Sequence, residues 1–231
     1  GVWDGPKAAS ATPDTIEFRF KTNGIPSSSY YSQSLFQIRQ DSDTKFGVQL
    51  LYPSASNASY NSPVLNDRFS VYGELRFFLS GSQGYVKTEP IYAPFFSRSW
   101  WSLKLNRETG SRFLFDSGSN QDYTLTVKST DYNGKDGTQI GFTGSIEHNE
   151  ISGSWVNSTT SSFALTRSFN GKQYNNFSGS LQEIRYWTLC FNNQSQISES
   201  VWDNHVMDPL SIETGYLTGS FSPVDHLAFR S

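Results

Sequence analysis

The chain has 231 residues, 17% charged and 16% aromatic, with a net charge of −3, a composition that excludes disorder and suits a folded all-β protein. No Lys/Arg cluster occurs and no apolar run approaches the ~20 residues of a membrane-spanning helix, so neither nucleic acid nor membrane insertion is expected. A chain this long can bury roughly 70–75% of its unfolded surface and needs no disulfide or metal to hold a core; its one cysteine, Cys190, reads as a small buried apolar residue.

Residues 1–13 form a lead-in rich in Gly, Ala and Pro, and 14–231 read as one domain, expected to belong to a longer chain. Thr15–Lys21 alternates cleanly, with Ile16, Phe18 and Phe20 against Glu17, Arg19 and Lys21, which predicts a strand with one buried face. Asn23-Gly24 is a turn, and Ser27–Ser34 a polar segment. Leu35–Arg39 and Phe46–Tyr52 are strands of a hairpin turning at Asp41–Thr44. A Ser/Asn/Pro loop follows over 53–63, then strands Phe69–Tyr72 and Glu74–Leu79 joined at Gly73, and Tyr85–Glu89 after a turn over 80–84. Ile91–Phe96 reads as an aromatic loop leading into the strand Trp100–Leu105. Arg107–Ser111 is a hairpin turn and Arg112–Phe115 the return. Asp122–Ser129 alternates again, with Tyr123, Leu125 and Val127 on one face. Ile140–Glu147, Ser152–Val156 and Ser162–Leu165 follow, and Asp225–Arg230 begins another strand.

The landmark is 177–213. Leu181, Ile184, Tyr186 and Leu189 give a strand whose alternation slips at Gln182-Glu183. After a polar turn at Asn192–Ser195 the period changes. Ile197, Val201, Trp202, His205 and Val206 share one face of a helix about three turns long. Ser195 or Ser198 caps its start, and Asp208-Pro209 ends it. Glu183 and Arg185, two apart, share a strand face and can form a local ion pair that organises the sheet surface. About a dozen short strands and one helix predict an antiparallel sandwich or jelly roll, and no repeat of 20–50 residues suggests a propeller or solenoid.

These residues carry a family resemblance. Gly179, Leu181, Glu183, Ile184, Arg185, Tyr186 and Trp187, followed by Ile197, Ser198 and Trp202, resemble the closing strand and turn-helix of concanavalin A-like (laminin-G-like) jelly-roll domains. IEFRFKT, WWSLKLNR and YTLTVKS resemble the early strand and the central strand pair of that family. YNGKDGTQIGFTGS and VMDPLSIE look like the longer jelly rolls of large viral structural proteins. The resemblance implies an all-β, concanavalin A-like jelly-roll β-sandwich of two antiparallel sheets with one short C-terminal helix. It also implies a place in a virion or at an extracellular or cell surface.

No catalysis is expected. Glycosidases of this fold set paired carboxylates on one strand with spacing E-x-D-x-x-E, whereas Glu74, Glu147, Glu183 and Glu213 are isolated. His148, His205 and His226 fit no metal motif. Calcium is the one ion to weigh. Asp131, Asn133 and Asp136 cluster oxygen ligands like half an EF-hand loop, although a hairpin turn on Asn-Gly and Asp-Gly reads the same residues more simply. Sugar binding would use loop aromatics, for which Tyr92, Phe95, Tyr132 and Tyr174 are the candidates, set against ordinary packing of aromatics in a sandwich. Four N-x-S/T sequons begin at Asn57, Asn157, Asn176 and Asn193. The leading expectation is a non-catalytic structural and interaction module of a large virion or surface protein, whose partners are other protein subunits of an assembly. The alternative is a carbohydrate-binding, lectin-like module for host attachment, and a weak third is a glycan-cleaving enzyme.

Overall fold

A computed structural model gives the fold and describes residues 15–26, 31–40, 43–52, 71–81, 84–109, 121–130, 139–146, 161–165, 175–187, 202, 206–207 and 227–230. In chain order the strands are β1 (Thr15–Thr22), β2 (Tyr31–Gln40), β3 (Asp43–Tyr52), β4 (Gly73–Gly81), β5 (Gly84–Lys87), β6 (Ile91–Ala93) and β7 (Trp101–Thr109). They continue with β8 (Gln121–Thr130), β9 (Gln139–Ile146), β10 (Ser161–Leu165), β11 (Asn175–Asn176), β12 (Gly179–Trp187) and β13 (Leu227–Arg230). Trp202, Val206 and Met207 are helical. The described protein is therefore all-β, in two sheets that are antiparallel apart from the two-residue β11 beside β2.

The chain divides into two compact units, each built around one sheet and each interleaved in sequence. One unit takes in Lys21–Ser99 and Glu150–Ser180; the other takes in Asp4–Phe20, Trp100–Asn149 and Leu181–Ser231. β1 and β12 thus run from one unit into the other.

The first unit holds the order β10-β2-β3-β4-β5, with β11 beside β2 and β6 beside β4. Leu35, Val48, Leu50, Leu75, Phe77, Ile91 and Phe95 are buried there. β5 and β6 share one edge of β4, β6 facing Gly73–Leu75 and β5 facing Phe78–Gly81. Thr88 bridges the step between them: its N–H donates to the Phe77 carbonyl at 2.9 Å, and its Oγ1 accepts from the Phe77 N–H at 3.1 Å.

The second unit holds the order β13-β12-β1-β7-β8-β9. Its apolar face reads across the strands in register. Ile16, Leu105 and Leu125 make one row; Phe18, Leu103, Val127 and Phe142 make the next; Phe20 faces Trp101. Such cross-strand pairs on one face are the unit of sheet stabilisation.

Several boundaries differ from expectation. The polar segment before Leu35 is strand from Tyr31, where Ser32, Gln33 and Ser34 are buried and the first two have side-chain partners in place. Ser32 Oγ accepts from Gln49 Nε2 at 2.9 Å, and Gln33 Oε1 accepts from the Ser178 N–H at 2.7 Å. The turn expected at Asp41–Thr44 gives way to strand from Asp43. Gly84, expected in a turn, opens β5, while Thr88 and Glu89 fall outside it. Tyr72 precedes β4 and is not strand. Ile91–Ala93, expected as loop, is β6. β7 runs on to Thr109 where a turn was expected at Arg107, since Arg107, Glu108 and Thr109 pair with Tyr123, Asp122 and Gln121. Arg112–Phe115, Ser152–Val156, the 53–63 loop and most of the helix, including Ile197, Val201 and His205, lie outside the described residues.

Gly179 opens β12 at a point where no side chain fits. A Cβ there would run into the Lys21 carbonyl and lie 2.5 Å from the Phe177 ring. The Gly179→Ala variant is therefore expected to be less stable by about 1–3 kcal/mol, the scale of forced overpacking. A thermal melt checks this, with an unshifted midpoint as the contrary result.

Candidate functional site

The second face of the six-stranded sheet gathers most of the charge found near the landmark. β1 sets Thr15, Glu17 and Arg19 opposite Asn106, Lys104 and Ser102 of β7. Lys104 and Ser102 in turn face Thr126 and Lys128 of β8. β12 lies along the other side of β1 and brings Glu183, Arg185 and Trp187. Sequence alternation suggested that Glu17 and Arg19 face solvent. Instead Glu17, Lys104 and Arg185 are 2%, 2% and 3% exposed, so both faces of β1 are covered in its first half.

Burial of this kind demands partners. Glu17 Oε1 accepts from Trp187 Nε1 at 3.1 Å and lies 3.4 Å from Arg185 Nη1. Arg185 Nη2 donates to Glu183 Oε2 at 2.8 Å. The Glu183–Arg185 ion pair read from the spacing is thus formed, and Glu17 extends it onto the neighbouring strand. Glu183 has φ 52°, a left-handed conformation unusual for a residue with a side chain. A left-handed residue inside a strand is one way that its alternation is re-phased, which accounts for the slip between Leu181 and Ile184.

Among the described residues four cations, Arg19, Lys104, Lys128 and Arg185, meet two carboxylates, Glu17 and Glu183. Indole faces lie against three of these cations. Lys104 Nζ and Lys128 Nζ lie 4.5 and 4.8 Å from the centre of the Trp202 ring, and Arg19 Cζ lies 5.4 Å from that of Trp100. These are cation–π distances. Trp202 and Val206, four apart on the helical segment, are both buried, while Met207 is exposed, as the amphipathic pattern requires. Burial, and next the neighbouring Arg185, lower the Arg19 pKa from its ordinary value, and Glu183 opposes them. Glu17, Phe18, Arg19, Ser102, Glu183, Arg185 and Trp202 line a small recess, partly open to solvent, of about 10 Å³, room for about one water molecule.

The other candidates fall elsewhere. Tyr92, on β6, is half-buried, and its hydroxyl donates to Glu74 Oε1 at 3.0 Å; Glu74 Oε2 lies 2.8 Å from Arg76 Nη2. Phe95 is completely buried, so its ring offers no face to a sugar in solution. Tyr132, Tyr174, Asp131, Asn133 and Asp136 lie outside the described residues, as do Cys190 and all three histidines. Among the described residues no group of three or more His, Cys, Asp or Glu side chains is placed to hold a metal. No helix among them is long and apolar enough to cross a membrane. Sequence reasoning singled out Glu183, Arg185, Trp187 and Trp202 but missed Glu17 and Lys104, whose signal was their place between the apolar residues of β1 and β7.

The chain matches no known family model, and no curated protein matches its sequence.

Proposed function

We propose that the chain is a concanavalin A-like jelly-roll β-sandwich acting as a non-catalytic structural and interaction module of a large virion or cell-surface protein, docking to neighbouring subunits. The observation that carries the non-catalytic part is the closure of the Glu17–Arg185 cluster on itself. Glu17 and Glu183 both hold Arg185, Glu17 also holds the Trp187 indole, and the recess beside them has room for about one water molecule. A glycosidase needs two carboxylates free to flank a glycosidic bond in an open cleft. Carboxylates committed to a buried arginine and an indole serve the sheet. The two antiparallel sheets, with almost no helix among the described residues, support the β-sandwich reading. The half-buried Tyr92, with its hydroxyl engaged by Glu74, supports packing over sugar stacking at that position.

The test is a glycan array probed with the purified chain in calcium and again in chelator, with a polysaccharide panel assayed in parallel for released product. The module reading expects silence in all three. Saturable binding to one sugar class would replace it with the lectin reading, and calcium dependence would direct attention to Asp131, Asn133 and Asp136. Product release would make the chain an enzyme.

A further inference from the structure

One corner of the seven-stranded unit combines backbone strain, an exposed cation and exposed apolar side chains. Arg98 is solvent-exposed and has φ 65°, a left-handed conformation that a residue with a side chain adopts at a cost of about 1–2 kcal/mol and that glycine takes freely. Its guanidinium lies against the backbone of Gly24, where an added Cβ would stand 2.8 Å from Nε and 3.4 Å from Nη2. Gly24, at φ 106°, is the residue type that permits this approach. Strain of this sort is retained where the surroundings enforce it, and it gathers at binding sites.

Hydrogen bonds tie the surroundings together. Thr22 Oγ1 donates to the Phe95 carbonyl at 2.8 Å, and the Phe96 N–H donates to the Val71 carbonyl at 2.8 Å. The Ser97 N–H closes a turn on the Pro94 carbonyl at 3.1 Å. Asn23 is tied to Ser178 by its backbone N–H and by its side chain. Phe95 and Phe96 are buried beneath. These bonds bring together three segments, around Ile25, Tyr72 and Arg98. Among the described residues the large hydrophobic side chains exposed to solvent are Ile25 (46%), Tyr72 (39%) and Met207 (48%), and the first two belong to this corner. No carboxylate among the described residues pairs with Arg98.

An exposed arginine on segments joined to those of an exposed tyrosine and an exposed branched aliphatic residue has the composition of an interface hot spot. A guanidinium with a free planar fork selects a carboxylate, which it grips with two parallel hydrogen bonds. We propose that the Ile25–Tyr72–Arg98 corner docks an acidic side chain of a partner protein. The partner's carboxylate pairs with Arg98, and an apolar neighbour of that acid rests against Ile25 and Tyr72. This deepens the docking-module reading and rests on it.

The test is selection of a random peptide display library on the full chain, with the selected peptides then titrated against variants. The expected consensus carries Asp or Glu next to an apolar residue. Affinity should fall at least tenfold for Arg98→Glu, Arg98→Gly and Ile25→Ser. It should hold within twofold for Lys87→Glu, an exposed residue on β5 that pairs with the far half of β4. Arg98→Gly also separates recognition from folding, because relief of strain predicts a midpoint no lower than that of the unaltered chain while binding is lost. No enriched peptide, a consensus without an acid, or peptides that bind Arg98→Glu as well as the unaltered chain would overturn the proposal. So would an Arg98→Gly protein that melts markedly lower, since Arg98 would then belong to the fold. The outcome is distinguishable from failure of the module reading, which falls on glycan binding or product release.

Discussion

Glu17→Ala is expected to destabilise the protein by about 3–5 kcal/mol, the cost of breaking a buried ion pair from one side. The Glu17 carboxylate is 3% exposed and the Arg185 side chain 4%, so water cannot readily replace the lost partner. Alanine deprives Arg185 Nη1 and Trp187 Nε1 of a shared acceptor at one stroke. An unsatisfied indole N–H alone costs about 1–3 kcal/mol, and the two losses will not add, since both groups use one oxygen. Glu17→Gln keeps an oxygen for the indole but removes the charge, and should cost less. Replacing Glu17 and Arg185 together by methionine strands no buried arginine, although it leaves Glu183 without its partner, and should cost less than the sum of the two single replacements. Urea denaturation reads all three as shifts in midpoint at a common slope. A Glu17→Ala protein as stable as the unaltered chain would mean that Arg185 is held by its other contacts, and that the cluster is not what fixes β12 beside β1.

Trp202→Ala is expected to cost about 3–5 kcal/mol, the usual range for removing a large aromatic side chain from a packed site. Trp202 is 1% exposed and lies against two lysine ammonium groups, one of them on the buried Lys104. Truncation removes the packing and both cation–π contacts, each worth about 0.5–2 kcal/mol. It also opens the polar face of the sheet around Lys104 to water. Trp202→Phe retains a ring over the ammonium groups and should lose markedly less. If the alanine variant unfolded at the same denaturant concentration as the unaltered chain, the helical segment would not be a structural cover for that face.

The regular strands of the six-stranded sheet were plain in the sequence, because β1 and β8 alternate without interruption and β7 carries Leu103 and Leu105 at the strand period. Alternation says which residues share a face; it does not say whether the polar face is wet. Glu17 and Lys104 looked solvated and are buried, since what covers them comes from Arg185, Trp187 and Trp202, more than 80 residues away in the chain. The same gap hid the start of β2, where Ser32, Gln33 and Ser34 have the composition of a loop and the burial of a strand. β6 is three residues long and depends on the edge left by β5, a tertiary circumstance with no local signature. One irregularity was legible: the slip at Gln182-Glu183 coincides with the left-handed Glu183. The Arg98 corner left no trace, because a turn containing Ser97, Arg98 and Ser99 reads as any polar loop until Gly24 is brought against it.

The sheet face is sealed around Glu17, and the Trp187 indole proton reports on it directly. In proton–nitrogen NMR spectra at neutral pH, that indole N–H should exchange with solvent only when the protein unfolds globally, and the protection should collapse in Glu17→Ala. An indole proton that exchanges in the folded protein as fast as an exposed tryptophan would contradict the seal. The Glu17–Arg185–Trp187 cluster would then have to be reconsidered as an open, solvent-accessible site.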